Sequence, residues 1–213
     1  LGATSATPGD VGALGLFYQW GRKDPFLGSS SISSPALAKS TITWPSAVET
    51  SSSVGTVDYV TSNPTTFVTA PSSGTLYDWH YASRDNTLWT TSDKTKSIFD
   101  PCPAGWRVPD GGGNGIWSKA GFADTEYDST NKGISFSISS PSTTWYPASG
   151  YRNYHDGGLG GLYSDGNYGR CWSASPYSHN ANFLYFKYDG DADPLTAGNR
   201  AYGYPVRCLQ ESK

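Results

Sequence analysis

Charged side chains are scarce in this chain. Asp, Glu, Lys and Arg make up 15% of 213 residues, and the net charge is −3. That balance offers no basic face, so nucleic acid is not an expected partner, nor is an anionic membrane. No apolar run approaches the roughly 18 residues of a membrane helix, and no signal-peptide core is visible, so direct membrane insertion is not expected. Methionine is absent. The chain is therefore expected to start downstream of a translation start; a precursor could have carried a signal or an N-terminal domain. Only three Cys and three His are present. They lack C-x-x-C spacing, which argues against structural zinc. The length permits a core without a cofactor, and none is expected.

Aromatics are abundant instead, with eight Trp, fifteen Tyr and eight Phe. Disordered chains are poor in such residues, so a folded chain is expected. Gly (25) and Pro (14), with frequent Ser and Thr, favour turns and short strands over helices. Residues 1–10 read as a linker remnant. Leu14 to Trp20 reads as a strand ending at Gly21. Residues 28–75 form a Ser/Thr-rich insertion, in which TITW (41–44) and GTVDYV (55–60) read as edge strands. Trp79, Leu88, Trp89, Ile98 and Phe99 are expected to face a core. In PCPAGWRVP (101–109) the prolines fix an irregular backbone above Trp106, read as its anchor. Asp110 is placed to cap a short helix through Trp117 to Ala120. ISFSIS (134–139) alternates with period two and reads as a half-buried strand. Cys102 and Cys208 can pair across a long loop in an oxidising compartment, leaving Cys171 over. Three free buried thiols are the alternative.

From Ala148 the texture changes. Nine of the fifteen tyrosines fall between Tyr151 and Tyr204. FLYFKY (183–188) is the clearest strand, with Phe183, Tyr185 and Lys187 on one face and Leu184, Phe186 and Tyr188 on the other. A last strand is expected through Tyr204 to Leu209. Tyr supplies rigid contact area with few rotamers to freeze, and Ser, Gly and Asn supply adaptable hydrogen bonds, the chemistry of antibody loops. Segment 148–208 is therefore the expected ligand-binding region. Its candidate contacts are Tyr151, Asn153, Tyr154, His155, Tyr163, Asn167, Tyr168, Arg170, Cys171, Tyr177, His179, Asn180, Asn182, Tyr185 and Tyr188. Trp172, inside W-S-x-S, is expected in the core. Arg107 and Arg207 are expected to make structural hydrogen bonds.

Several blocks carry a resemblance: FYQWGRKDPF (17–26), DPCPAGWRVP (100–109), ASGYRN (148–153), CWSASP (171–176) and NRAYGYPVRC (199–208). In this order they resemble the domain family named for the major paralogous proteins of Fibrobacter succinogenes, common in surface proteins of gut Bacteroidetes. The order G-W-R-x-P, W-S-x-S, then V-R-C is similar to C-type lectin-like folds, including formylglycine-generating enzymes and retroelement-diversified variable proteins. The resemblance implies one α+β domain over 11–213, with a twisted antiparallel sheet, few short helices and long ordered loops. It also implies a bacterial cell-surface, extracellular or phage-virion setting, and a protein or glycan ligand on another cell or virion. Tyr154, His155, Tyr163, Asn167, Tyr168, Arg170, Cys171, Tyr177, His179, Asn180, Asn182, Tyr185 and Tyr188 are residue types reachable from one adenine-rich asparagine codon by adenine substitution. A diversified receptor segment fits that list; an ordinary Tyr-rich surface fits it too.

Catalytic patterns are thin. There is no G-x-S-x-G, and the His residues sit in unrelated contexts. The copper-binding cysteine pair of formylglycine-generating enzymes has no counterpart, because only Cys171 is spare. Asp189, Asp191 and Asp193 alternate as in a calcium loop, but Pro194 stands where that loop needs Gly and no Glu follows at its twelfth position. They remain the weak metal candidate. The sugar-site tripeptides of true C-type lectins are missing. The expected function is non-enzymatic recognition, as an adhesin or receptor-binding module. One rival is a structural tip subunit of a pilus or fibre. The other is a carbohydrate-active enzyme, which needs two carboxylates about 5–10 Å apart; Asp156, Asp165, Asp189, Asp191 and Asp193 are its candidates.

Overall fold

The computed structural model describes residues 1–32, 47–71, 77–81, 84–90, 92–120, 125–139, 142–159 and 166–211. The described strands are β1 (Phe17–Gln19), β2 (Val48–Glu49), β3 (Val68–Thr69), β4 (Trp106–Arg107), β5 (Tyr127–Asp128), β6 (Gly133–Ser139), β7 (Ser142–Pro147), β8 (Tyr168–Tyr177), β9 (Asn180–Lys187), β10 (Ala192–Asp193), β11 (Ala197–Gly198), β12 (Gly203–Pro205) and β13 (Leu209–Gln210). Two short helices accompany them, α1 (Val57–Ser62) and α2 (Ile116–Ala120). The architecture is α+β, built of small and mostly antiparallel sheets. β8 and β9 form a hairpin, with β10 and β11 on the far edge of β9. β5, β6 and β7 form a second sheet, while β1 pairs β12 and β4 pairs β13. The one parallel pair among the described residues is β2 with β3.

The hydrogen bonds of the FYQWGR block explain how distant segments converge. The carbonyls of Tyr18, Trp20 and Arg22 accept the indole N–H groups of Trp172, Trp79 and Trp89, at 2.9, 2.7 and 3.1 Å. The Trp20 indole in turn donates to the Ser173 carbonyl at 2.9 Å. All four rings are buried. Each thus contributes a large apolar body and satisfies a backbone acceptor that burial would otherwise leave unpaired. The buried Gln19 amide donates to the Val68 and Ala201 carbonyls and accepts from the Arg22 guanidinium.

W-S-x-S has a matching role. Trp172 sits in the core, as expected. The register of β8 on β9 shifts between Trp172 and Pro176. Within that bulge the Ser173 hydroxyl donates to the Asn182 carbonyl, and the Ala174 N–H donates to the Pro109 carbonyl. The Gly111 N–H donates to the Ser175 hydroxyl.

The main core gathers Trp20, Trp79, Trp89 and Trp172, Phe17, Phe26 and Phe67 form a smaller cluster, and alternation explains a further one. Ile134 and Phe136 of β6 are buried, with Ser135 exposed between them, as the period-two pattern predicts. They pack with Trp117, Tyr146, Cys171, Leu184 and Phe186 into a second core beneath the β8–β9 sheet. Gly169 lies where that packing is tightest, since a Cβ there would stand 1.8 Å from the Phe186 ring. Cys102 and Cys208 form a disulfide across 106 residues, beside the β4–β13 pair, and Cys171 is free and buried.

Several local expectations change. Residues 57–60 of the expected edge strand fold into α1, because the Thr56 hydroxyl caps the Tyr59 N–H and Asp58 favours the first turn. TITW lies outside the described residues. The expected strand from Leu14 shortens to β1. Ile98 is 78% exposed, whereas Trp79, Leu88 and Trp89 are buried and Phe99 is partly so. Trp106 is 40% exposed, and the loop is instead held from below by buried Asp100. That carboxylate accepts the Cys102 and Val108 N–H groups and the Lys96 ammonium. Asp110 pairs with Arg107 at 2.7 Å rather than capping a helix. The last strand splits into β12 and β13, with Val206 bridging Trp172 between them. Residues 1–10, read as a linker remnant, have contacts of their own: Thr4 N–H donates to the Gly12 carbonyl, and Leu1 packs on the main core.

Candidate functional site

The pleat of β8 and β9 sorts the expected contacts. Residues Gly169, Cys171, Leu184 and Phe186 point into the second core. Their neighbours point the other way. Arg170 pairs in register with Tyr185, and Tyr185 with Asp193, so the three form one row across β8, β9 and β10. Tyr168 pairs with Lys187 in the next row of the same face, and Trp172 with Phe183 in the row before. The Tyr185/Lys187 and Leu184/Phe186 split of FLYFKY follows the expected alternation.

Above this face lies a shallow groove of about 480 Å³. Arg170, Tyr185, Asp191, Asp193, Thr196, Asn199 and Tyr202 line it, with Phe183 and Tyr204 beneath. β11 can lie this close because Gly198 has no side chain: a Cβ there would meet the Phe183 ring at 2.9 Å. Tyr202 stacks on Tyr204 with centroids 5.3 Å apart, and Tyr154 meets Tyr202 edge-on at 4.7 Å. Tyr77 and His155 extend the band from Tyr154, at 4.9 and 4.0 Å. At its other end Tyr168 contacts Tyr185 and Tyr188.

Arg170 sits at the centre. Its guanidinium carbon is 4.4 Å from the Tyr151 centroid, 5.6 Å from Tyr185, 5.7 Å from Tyr204 and 6.0 Å from Tyr168. Burial raises the Tyr202 phenol to about 12 and pushes Tyr204 further up, and it also raises Tyr185 and Tyr154. These phenols therefore remain neutral donors near neutral pH.

The acids near the groove are already engaged. Asp189 and Asp191 hold the Lys187 ammonium at 2.9 and 3.3 Å. Those bonds raise the Lys187 ammonium and lower the Asp189 carboxyl. Asp193 accepts the Leu195 N–H at 2.7 Å and the Thr196 hydroxyl at 2.8 Å. The three form no joint metal site, and among the described residues no group of three His, Cys, Asp or Glu is placed to hold an ion. Asp156 caps the Gly158 N–H at an exposed turn away from this row; Asp165 lies outside the described residues.

The expected contacts thus divide. Cys171, Asn182 and Tyr151 are 3, 5 and 7% exposed. Cys171 faces the second core, Asn182 lies beneath Gly111 and Gly112, and Tyr151 lies under Arg170. These three are corrected from surface contacts to supports. Tyr168, Arg170 and Tyr185 line the row or its flank, with exposed Tyr188 beside them. Tyr154 and His155 lie in the aromatic band, and the Asn153 side chain holds the turn by accepting the His155 N–H. Asn167, half-buried, accepts the Tyr188 N–H through its carbonyl. Tyr177 and His179 are exposed at the tip of the β8–β9 hairpin, with Asn180 half-buried beside them. Tyr163 lies outside the described residues. Tyr202, Asn199, Thr196 and Tyr77 were missed. The Y-G-Y spacing of 202–204 was the available signal, because period two puts both rings on one face. Arg107 makes its expected structural pair, and Arg207 lies over the Tyr146 ring at 4.7 Å.

Comparison with known protein families, with curated proteins and with solved structures found no match to this chain.

Proposed function

We propose that this chain is a non-enzymatic recognition module of the Fibrobacter paralogous-domain type, on a C-type lectin-like scaffold. It acts as an adhesin or receptor-binding domain outside the cell or on a virion, and its ligand is a glycan or a protein. The observation that carries this reading is the Arg170–Tyr185–Asp193 row under the open groove, flanked by the half-buried Tyr202 ring. Such a surface suits contact by ring faces and hydrogen bonds held in place before the ligand arrives. The Cys102–Cys208 bridge supports an oxidising setting. The split between buried Cys171 and groove-lining Arg170 narrows any diversified set to the outward positions.

The test is binding to arrays of surface glycans and surface proteins. Tyr185→Ala and Tyr202→Ala should each weaken capture by about tenfold or more, the behaviour of aromatic hot spots. A double variant that folds and binds like the parent would place the ligand elsewhere.

A further inference from the structure

We propose that the groove takes a carboxylate-bearing glycan, an oligosaccharide with a uronate or sialate unit. Its carboxylate would lie on Arg170 and its ring on Tyr202 and Tyr185. This rests on the recognition role above and names its ligand class.

The carboxylates near the groove are already engaged. Asp189 and Asp191 hold Lys187, and Asp193 accepts from Leu195 and Thr196. Arg170 differs. Among the described residues no carboxylate lies within ion-pair distance of it, and its buried Nη1 has no hydrogen-bond acceptor. Its surroundings are four phenol rings. Ring faces attract a cation but offer no in-plane lone pairs for its fork of N–H donors. The buried arginines contrast with this half-buried one: Arg22 donates to the Gln19 side chain and the Thr66 carbonyl, although its Nε has no acceptor. Arg152 donates to the Leu27 and Gly157 carbonyls. Arg200 donates to the Asn180 carbonyl and the Asn86 side chain. Set beside these, the guanidinium that lines the groove is left without such partners among the described residues. Because rings hold it in place, little side-chain freedom remains to be lost on binding. A planar carboxylate is the group that matches its geometry.

The rest of the lining favours a sugar over an acidic peptide. Protein hot spots occupy deep, desolvated pockets. This groove is open and offers no apolar hole for an anchoring side chain. It does offer a half-buried tyrosine face beside Asn199, Thr196 and neutral phenol hydroxyls, which suit a ring bearing several hydroxyls.

The experiment is an array of uronate- and sialate-bearing oligosaccharides, each printed beside its carboxyl-reduced counterpart. The parent chain should bind at least one acidic member about tenfold or more above its reduced partner. Arg170→Gln should abolish that preference, and Arg170→Lys should keep part of it. The ligand-side comparison needs no variant, so poor folding of Arg170→Gln does not blunt it. Equal binding of acidic and reduced members overturns the proposal, as does a folded Arg170→Gln that keeps the preference. If a surface protein is captured through Tyr202 while no acidic glycan binds, the ligand class is wrong and the recognition role survives. If Tyr185→Ala and Tyr202→Ala leave every captured ligand unaffected, the recognition face itself is wrong.

Discussion

Neighbouring positions on β8 should respond in opposite ways to the same bulky residue. Cys171 is 3% exposed and packed among Tyr146, Leu184 and Phe186, while Arg170 faces the groove. Placing a tyrosine at 171 sets a phenol ring among Tyr146, Leu184 and Phe186, at a position now filled by one sulfur beside a cavity of about 310 Å³. Overpacking costs about 3 kcal/mol at the upper end of its usual range. Burying the new hydroxyl without a partner adds about 1–3 kcal/mol. The sum, about 4–6 kcal/mol, is a large share of the roughly 5–15 kcal/mol that holds a domain together. For a chain of this size it should lower the melting temperature by about 10 °C or more. Arg170→Tyr loses only ring contacts with its cation and should stay within about 1 kcal/mol of the parent. Calorimetric melts of the two variants decide the matter. If Cys171→Tyr melts within a few degrees of the parent, the inward assignment of 171 and the packing of the second core are refuted.

Two further outcomes follow from buried groups. Replacing Cys102 and Cys208 together by serine frees a long loop, and urea unfolding should show a loss of up to about 4–5 kcal/mol; a loss below about 1 kcal/mol would contradict the bridge. Burial raises the Asp78 carboxyl from 3.8 to about 6, although His80 N–H and Arg200 favour its charge. The folded state thus holds that proton more tightly, so the stabilisation is complete below about pH 4 and is lost as pH climbs through 6. Relative to Asp78→Asn, the parent should therefore lose about 1–3 kcal/mol between pH 4 and 7; parallel stability profiles would refute this.

Legibility in the sequence followed the strength of local pattern. ISFSIS and FLYFKY declared their faces because period two holds from Ile134 to Phe136, ahead of the register shift at Ser137–Ser139, and from Phe183 to Lys187. The companion strand did not, since the W-S-x-S bulge interrupts β8 just past Trp172. Arg170 and Cys171 therefore looked equivalent as surface residues. GTVDYV reads as a strand by residue type, but one threonine hydroxyl at position 56 tips residues 57–62 into a helix. Trp106 and Ile98 were misjudged because hydrophobicity does not report orientation in an irregular loop. Asp100, the real support of that loop, carries no pattern at all: its value lies in three donors that converge only after folding. The groove was half visible. Tyr185 and Arg170 stood in the candidate set, whereas Tyr202 and Asn199 reach the site through β11 and β12 packing against β9 and β1.

The indole tethers to the FYQWGR carbonyls have a kinetic corollary. Tyr18 waits for a ring 154 residues downstream, and Gln19 for a carbonyl 182 residues downstream. During synthesis this early segment must leave the ribosome with its acceptors bound to water, and it can be sealed only once residues beyond 200 have emerged. Closure of such distant loops is slow, so the polypeptide should acquire protease resistance late and in a single step rather than progressively along its length.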